Sequence, residues 1–119
     1  MTKTLTRSDL AQFTGTEHVY RHQLLPHIVY TDGVRHVAEA GQAYWLIDKI
    51  ACAQIEGRHA EQPFQLWQLI VNDDLSATLS CTDGNGTVVS TERIGYTDFP
   101  LPAIRLYLTD NTILLPSEY

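Results

Sequence analysis

A chain of 119 residues with 44% hydrophobic and 18% charged residues has the make-up of one globular domain and not of a disordered segment. At this length roughly two thirds of the unfolded chain's surface is buried on folding, so a core forms without disulfide or metal staples. The formal net charge of −6 resides entirely in residues 61–119, where two basic residues stand against eight acidic ones, while residues 1–60 balance at six of each. That half repels phosphate backbones, which disfavours direct nucleic-acid binding and favours a basic partner. The opening MTKTLTRSDLAQF has no apolar core of a signal peptide, and no apolar run reaches membrane-spanning length. Two cysteines, Cys52 and Cys81, are too few for a disulfide framework. The composition reads as a cytoplasmic protein with no membrane contact, both thiols reduced and buried as small hydrophobes.

Taken in chain order, Thr6 and Asp9 have N-cap spacing with Leu5 and Leu10 placed as a staple, and Thr14 to Glu17 forms a second capping box. The second predicts a helix near residues 15–25, ended by Pro26. Asp32-Gly33 caps a further helix, VRHVAEAG, with Val34, Val37 and Ala38 on one face and Gly41 as its stop. The stretch QAYWLIDKIACAQIEG carries the strongest helical period, with Ile47, Ile50, Ala51 and Ile55 in one stripe and Gly57 at its end. From residue 64 onward the pattern changes to strands. FQLWQLIVN is apolar on both faces, ATLSC alternates with Ala77, Leu79 and Cys81 inward, and DGNG at 83–86 is a hairpin signal. TVVSTERI follows, then a loop with Pro100 and Pro102, then IRLYLT, a turn at Asp110-Asn111, and TILL.

Helices followed by strands predict an α+β domain, with N-terminal helices packed on a four- to five-stranded antiparallel meander. Val37, Leu46, Ile47, Ile50, Leu66, Leu69, Leu79, Leu106 and Leu108 are the expected core. Alternating strand direction gathers Asp73, Asp74 and Asp98 at one end of the sheet and Asp83 and Asp110 at the other.

Candidate chemistry is sparse. His18, His22, His27 and His36 fall within nineteen residues. On the expected helix His18 and His22 share a face at the i, i+4 spacing of two metal ligands. The intervening Val19, Tyr20 and Arg21 supply no general base, and the Arg21 charge opposes a cation. Against a calcium-loop template, residues 81–92 match at Asp83, Asn85, Gly86 and Glu92, but Cys81 replaces the first ligand and the flanks read as strands. No nucleophile elbow, phosphate loop or dinucleotide fingerprint occurs. Cys52 lies between Asp48 and Glu56, whose charges raise a thiol's pKa. The reading leans away from an enzyme and calls for no cofactor.

The phrases FTGTE (13–17), YRH (20–22), YTDGV (30–34), AYWL with Asp48 (43–48), DGN (83–85), YTDFPL (96–101) and LLPSEY (114–119) resemble those of a family of uncharacterised small bacterial proteins. Such proteins are often encoded on plasmids, phages or other mobile elements. The resemblance carries no catalytic or ligand residue and implies an accessory protein.

The function expected from these observations is a protein-binding module, in the manner of a mobile-element regulator or inhibitor. Its candidate contacts are Asp73, Asp74 and Asp98 at the acidic sheet end and Trp67 on the doubly apolar strand. Two other readings stand beside it. One is a metal-binding protein or metalloenzyme using His18 and His22. The other is a small-molecule site in which His22, Tyr44 and Trp45 line a pocket between helix and sheet. A homodimer is compatible with all three.

Overall fold

The computed structural model describes residues 18–119. Two short strands come first, β1 (Val19–Arg21) and β2 (Val29–Thr31), followed by three helices, α1 (Asp32–Ala40), α2 (Tyr44–Ala53) and the single turn α3 (Gly57–Ala60). Then come β3 (Phe64–Val71), β4 (Ala77–Thr82), β5 (Val88–Ile94), β6 (Ala103–Thr109) and β7 (Thr112–Leu114), and a 3-10 turn at Pro116–Glu118. All seven strands form one sheet in the order β1-β2-β7-β6-β3-β4-β5. The sheet is mixed, because β2 and β7 run parallel while the other neighbours are antiparallel.

The strand order corrects the expected architecture. The domain is not a set of N-terminal helices on a four- to five-stranded antiparallel meander. The helices among the described residues are short and lie between β2 and β3, and β6 returns past β4 to pair with β3 instead of β5. The order β6-β3-β4-β5 is a Greek key laid flat in one sheet. Loop 95–102 makes the return over the end of the β3–β4 hairpin, where the Thr97 N–H donates to the Leu75 carbonyl and the Val71 N–H to that of Pro102, each at 2.8 Å. Its own Phe99 and Leu101 are buried. Because β6 still runs opposite to β3, the loop and turn 72–76 share one end of the sheet.

The helix expected near residues 15–25 is another correction, since Val19–Arg21 pairs as a strand with β2. Three residues are too few to show a strand period, so the capping-box pattern upstream dominated the reading. That pattern, with the Thr6–Asp9 cap, lies outside the described residues.

The two longer helices form where the periodicity places them. Thr31 caps α1 from an extended backbone, its hydroxyl accepting from the Val34 N–H at 3.3 Å, and Val34, Val37 and Ala38 turn inward. In α2 the buried stripe is Leu46, Ile47, Ile50 and Ala51. The helix stops at Ala53, so Ile55 leaves the stripe and is 72% exposed.

Alternation on the strands sends Trp67, Leu69, Leu79, Cys81, Ile104, Leu106 and Leu108 to the helix-covered face, where they join the helices in one core. Of the expected core residues only Leu66 departs. It pairs with Tyr107 and Thr82 on the opposite face and is half-buried. There Phe64, Tyr107 and Tyr119 pack with ring centroids 4.9–5.5 Å apart, Tyr119 edge-on to both of the others. The thiols also separate: Cys81 is buried, whereas Cys52 is exposed, contrary to expectation.

Positive φ shapes several turns, among them the β6–β7 and β4–β5 connections. Asp110 and Asn111, at φ 51° and 58°, make the two-residue β6–β7 hairpin whose twist matches its strands. Gly84, at φ 85°, lies under the Phe64 ring, 2.8 Å from where a Cβ would stand.

The 3-10 turn brings Glu118 back to the start of α1. The carboxylate accepts from the Thr31 hydroxyl (2.6 Å), the Leu115 N–H (3.0 Å) and the Gly33 N–H (3.3 Å). It is only 9% exposed, and it sits where the helix dipole favours negative charge. Glu118→Ala strands these donors and is expected to destabilise the fold by at least about 1.5 kcal/mol in chemical denaturation. Gly33→Ala pushes a Cβ to 2.5 Å from the same carboxylate, and should lower the denaturation midpoint as well.

Candidate functional site

Three places collect polar chemistry. The first is the sheet end beside turn 72–76. Asp73 and Asp74 line a hollow of about 520 Å³ together with Ser76, Thr78, Thr91 and Arg93. The Ser76 hydroxyl (2.6 Å) and N–H (3.0 Å) both donate to Asp74, and these bonds hold its carboxyl below the usual range, with a smaller contribution from Arg93. Asp98 is exposed on loop 95–102 at the same end but does not line the hollow. The acidic end expected from the sequence therefore contains a basic residue, Arg93, among its acids.

The second place is a cleft of about 390 Å³ between the β1–β2 connection and α2, lined by His22, Leu24, Tyr30, Tyr44, Ile47 and Asp48. His22 is 5% exposed. Its Nδ1 accepts from the Leu24 and Leu25 N–H groups at 3.2 and 3.1 Å, which leaves Nε2 to donate to the Asp48 carboxylate at 2.7 Å. That network places the ring proton on Nε2. The ring thus ties the loop to α2. Tyr44 lines the cleft, 44% exposed. Trp45 does not line it; it is half-buried and packs against the core.

His18 and His22 have no shared helical face, because no helix forms there. His18 is exposed beside Asp32, with Nδ1 3.6 Å from the carboxylate. Asp32 is itself held below the usual carboxyl range, chiefly by a hydrogen bond from Tyr20, and by one from the His18 N–H. Among the described residues no three His, Cys, Asp or Glu side chains converge as a metal site. Asp83 is occupied by the turn it makes, its Oδ1 accepting from the N–H groups of Asn85 (2.8 Å) and Thr87 (3.1 Å).

The third place was not legible in the sequence. A groove of about 470 Å³ runs between α2–α3 and β5, floored by Trp67 and Leu79 and rimmed by Lys49, Cys52, Glu56, Arg58, His59, Ser90 and Glu92. Its centre is His59, 4% exposed. The imidazole stacks on Trp67 with centroids 5.5 Å apart and planes 14° from parallel. One nitrogen, Nε2, lies 2.9 Å from the Ser90 hydroxyl, and Nδ1 lies 3.5 Å from Glu56. A buried amide network fixes α3 here. Gln65 exchanges hydrogen bonds with Gln54 (2.7 and 2.8 Å), donates to the His59 carbonyl (2.7 Å) and accepts from the Trp67 indole (2.9 Å). Burial pushes the His59 pKa down; the Glu56 charge opposes this and Arg58 reinforces it. Burial therefore favours the neutral ring.

Over residues 4–119 the chain matches the model of a family of unknown function, DUF6876. No curated protein and no solved structure matches it. No helix among the described residues is long and apolar enough to cross a membrane.

Two outcomes follow from the histidines. His22→Ala leaves two backbone N–H groups unpaired at the loop and is expected to cost about 1–3 kcal/mol in urea denaturation. For His59 the folded state resists protonation more than the unfolded chain does. The stability it contributes is complete above the unfolded value, about 6.5, and is lost as pH falls through the lower folded value. The urea midpoint of the wild type should drop between pH 7.5 and 5, and His59→Gln should flatten that slope.

Proposed function

We propose that this chain, which belongs to the DUF6876 family of unknown function, is a protein-binding module that receives an extended segment of a partner along β5. The observation that supports this most is the setting of that strand. It closes one end of the sheet and pairs only with β4 among the described residues. An exposed edge offers unpaired main-chain groups to an incoming strand.

The edge also has a hollow on each face. Ser90 and Glu92 point toward the groove floored by Trp67, while Thr91 and Arg93 border the hollow that holds Asp73 and Asp74. Side chains of an added strand alternate between the two faces. One set would enter the apolar-floored groove and the other would meet the aspartates, so basic residues at alternate positions suit the second set. The acidic balance of residues 61–119 draws the same kind of segment by long-range attraction. A reducing cytoplasm agrees with the free thiols of Cys52 and Cys81. The resemblance to proteins of mobile elements fits a regulator or inhibitor acting on a protein of the host or of the element.

Selection from a displayed library of extended peptides, followed by backbone NMR, tests the reading. Binders should alternate basic residues with apolar ones and should shift the amides of 88–94. The paired substitution Asp73→Lys and Asp74→Lys should weaken them about tenfold at low salt and much less at high salt, where exposed charges are screened. Shifts confined to β1 or to the His22 cleft would refute the proposal.

A further inference from the structure

The Glu56–His59–Ser90 arrangement goes beyond docking. We infer that Ser90 is an acylatable nucleophile, with His59 as its general base and Glu56 as the residue that sets the tautomer of that base. The substrates would be esters with a short acyl group.

The geometry carries the argument. Glu56 is a carboxylate 3.5 Å from Nδ1, and that atom has no hydrogen-bond partner. A negative charge beside Nδ1 favours the proton there, which leaves Nε2 bare. The Ser90 hydroxyl, 2.9 Å from Nε2, then donates its proton to the ring, the orientation that a hydroxyl nucleophile needs. Trp67 stacks against the imidazole and the Gln65 amide holds the His59 carbonyl, so the ring is oriented before any substrate arrives. Ser90 borders the groove, which has room for a short acyl chain over Trp67 and Leu79. Lys49 and Arg58 line the same groove, each beside a carboxylate, Glu92 and Glu56 respectively, and are the positive charges nearest to a developing oxyanion there. Burial favours the unprotonated form of the ring, the form in which a general base takes up a proton.

The steps balance. Ser90 Oγ bonds to the ester carbonyl carbon as its proton passes to His59 Nε2. The carbon–oxygen bond to the alcohol breaks, and the alcohol leaves with that proton. Water then attacks the acyl-serine and gives a proton to Nε2. The acyl–Oγ bond breaks, Oγ regains the proton, and a carboxylic acid departs.

A fluorophosphonate probe and p-nitrophenyl acetate test this on the full chain without any peptide ligand, so the result is independent of the docking proposal. The probe should attach to Ser90, as located by peptide mass spectrometry, and Ser90→Ala should abolish both labelling and turnover. Glu56 is 64% exposed, so Glu56→Gln should fold as the wild type does. It should lower kcat at least about tenfold with little change in KM. It should also move the acid limb of the pH profile lower, because Glu56 is the group that raises the His59 pKa against burial. The other charged and titratable groups lining the groove are Lys49, Cys52, Arg58 and Glu92; Arg58, which also lowers the His59 pKa, loses its Glu56 partner in that variant, so both changes act in the same direction. Absence of label on the wild type, label on Cys52 in place of Ser90, or equal turnover in folded Ser90→Ala overturns the inference.

Discussion

One buried carboxylate closes the sheet. Glu118 takes hydrogen bonds from Thr31, Gly33 and Leu115, and in doing so joins the turn after β7 to the residues where β2 becomes α1. A carboxylate so nearly removed from water is tolerable only with donors on its oxygens. The helix supplies one of them from the N–H groups that its first turn leaves unpaired. The absence of a side chain at position 33 is what lets the carboxylate come so close, since a Cβ there would stand 2.5 Å from Oε1. With that contact made, β7 can lie parallel to β2, and the hairpin β1–β2 becomes part of the same sheet as the Greek key.

The rest of the molecule follows from covering one face of that sheet. The core helices seal its centre with Val34, Val37, Leu46, Ile47 and Ile50 against Leu69, Leu79, Leu106 and Ile113. Toward β5 the cover thins to the four residues of α3. An aromatic–imidazole stack replaces aliphatic packing there, and a groove remains. The amides of Gln54 and Gln65 do the work that a longer helix would otherwise do in fixing His59. The same thinning leaves Lys49 of α2 to reach Glu92 of β5 across the groove.

How much of this could be read from the residues depended on the range of the signal. The α1 and α2 helices and strands β3, β4, β5, β6 and β7 were legible, because each is long enough to show its period or is bounded by a marked turn such as DGNG or Asp110-Asn111. Strand order was not legible. Nothing local in FQLWQLIV says that its neighbours are β4 and β6, or that TIL pairs in parallel with VYT. The apolar residues on both faces of β3 placed Leu66 in the expected core, whereas Phe64 and Leu66 share the other face with Tyr107. Of the candidate residues, Asp73 and Asp74 were legible as neighbours in a turn. The convergence of Glu56, His59 and Ser90 was not. His59 stood apart from the histidine-rich stretch that drew attention, and 31 residues separate it from Ser90. One signal was available: a histidine directly after a glycine-broken helix end, just ahead of a doubly apolar strand, has few places to go except inward. Four of the phrases that carried the family resemblance meet in space, through Tyr20 with Asp32, His22 with Asp48, and Thr31 with Glu118.

The parallel seam between β2 and β7 has a kinetic consequence. Strands β3, β4 and β5 are joined by short hairpins and can zip up locally, but the seam closes a loop in which Thr31 and Glu118 are 87 residues apart. The entropy of such a closure has to be met before its contacts return anything. Folding should therefore begin in the hairpins and finish at this seam. Until it does, β7 has β6 beside it but the other side of its backbone bare, a transient opening at which two half-folded molecules could exchange strands.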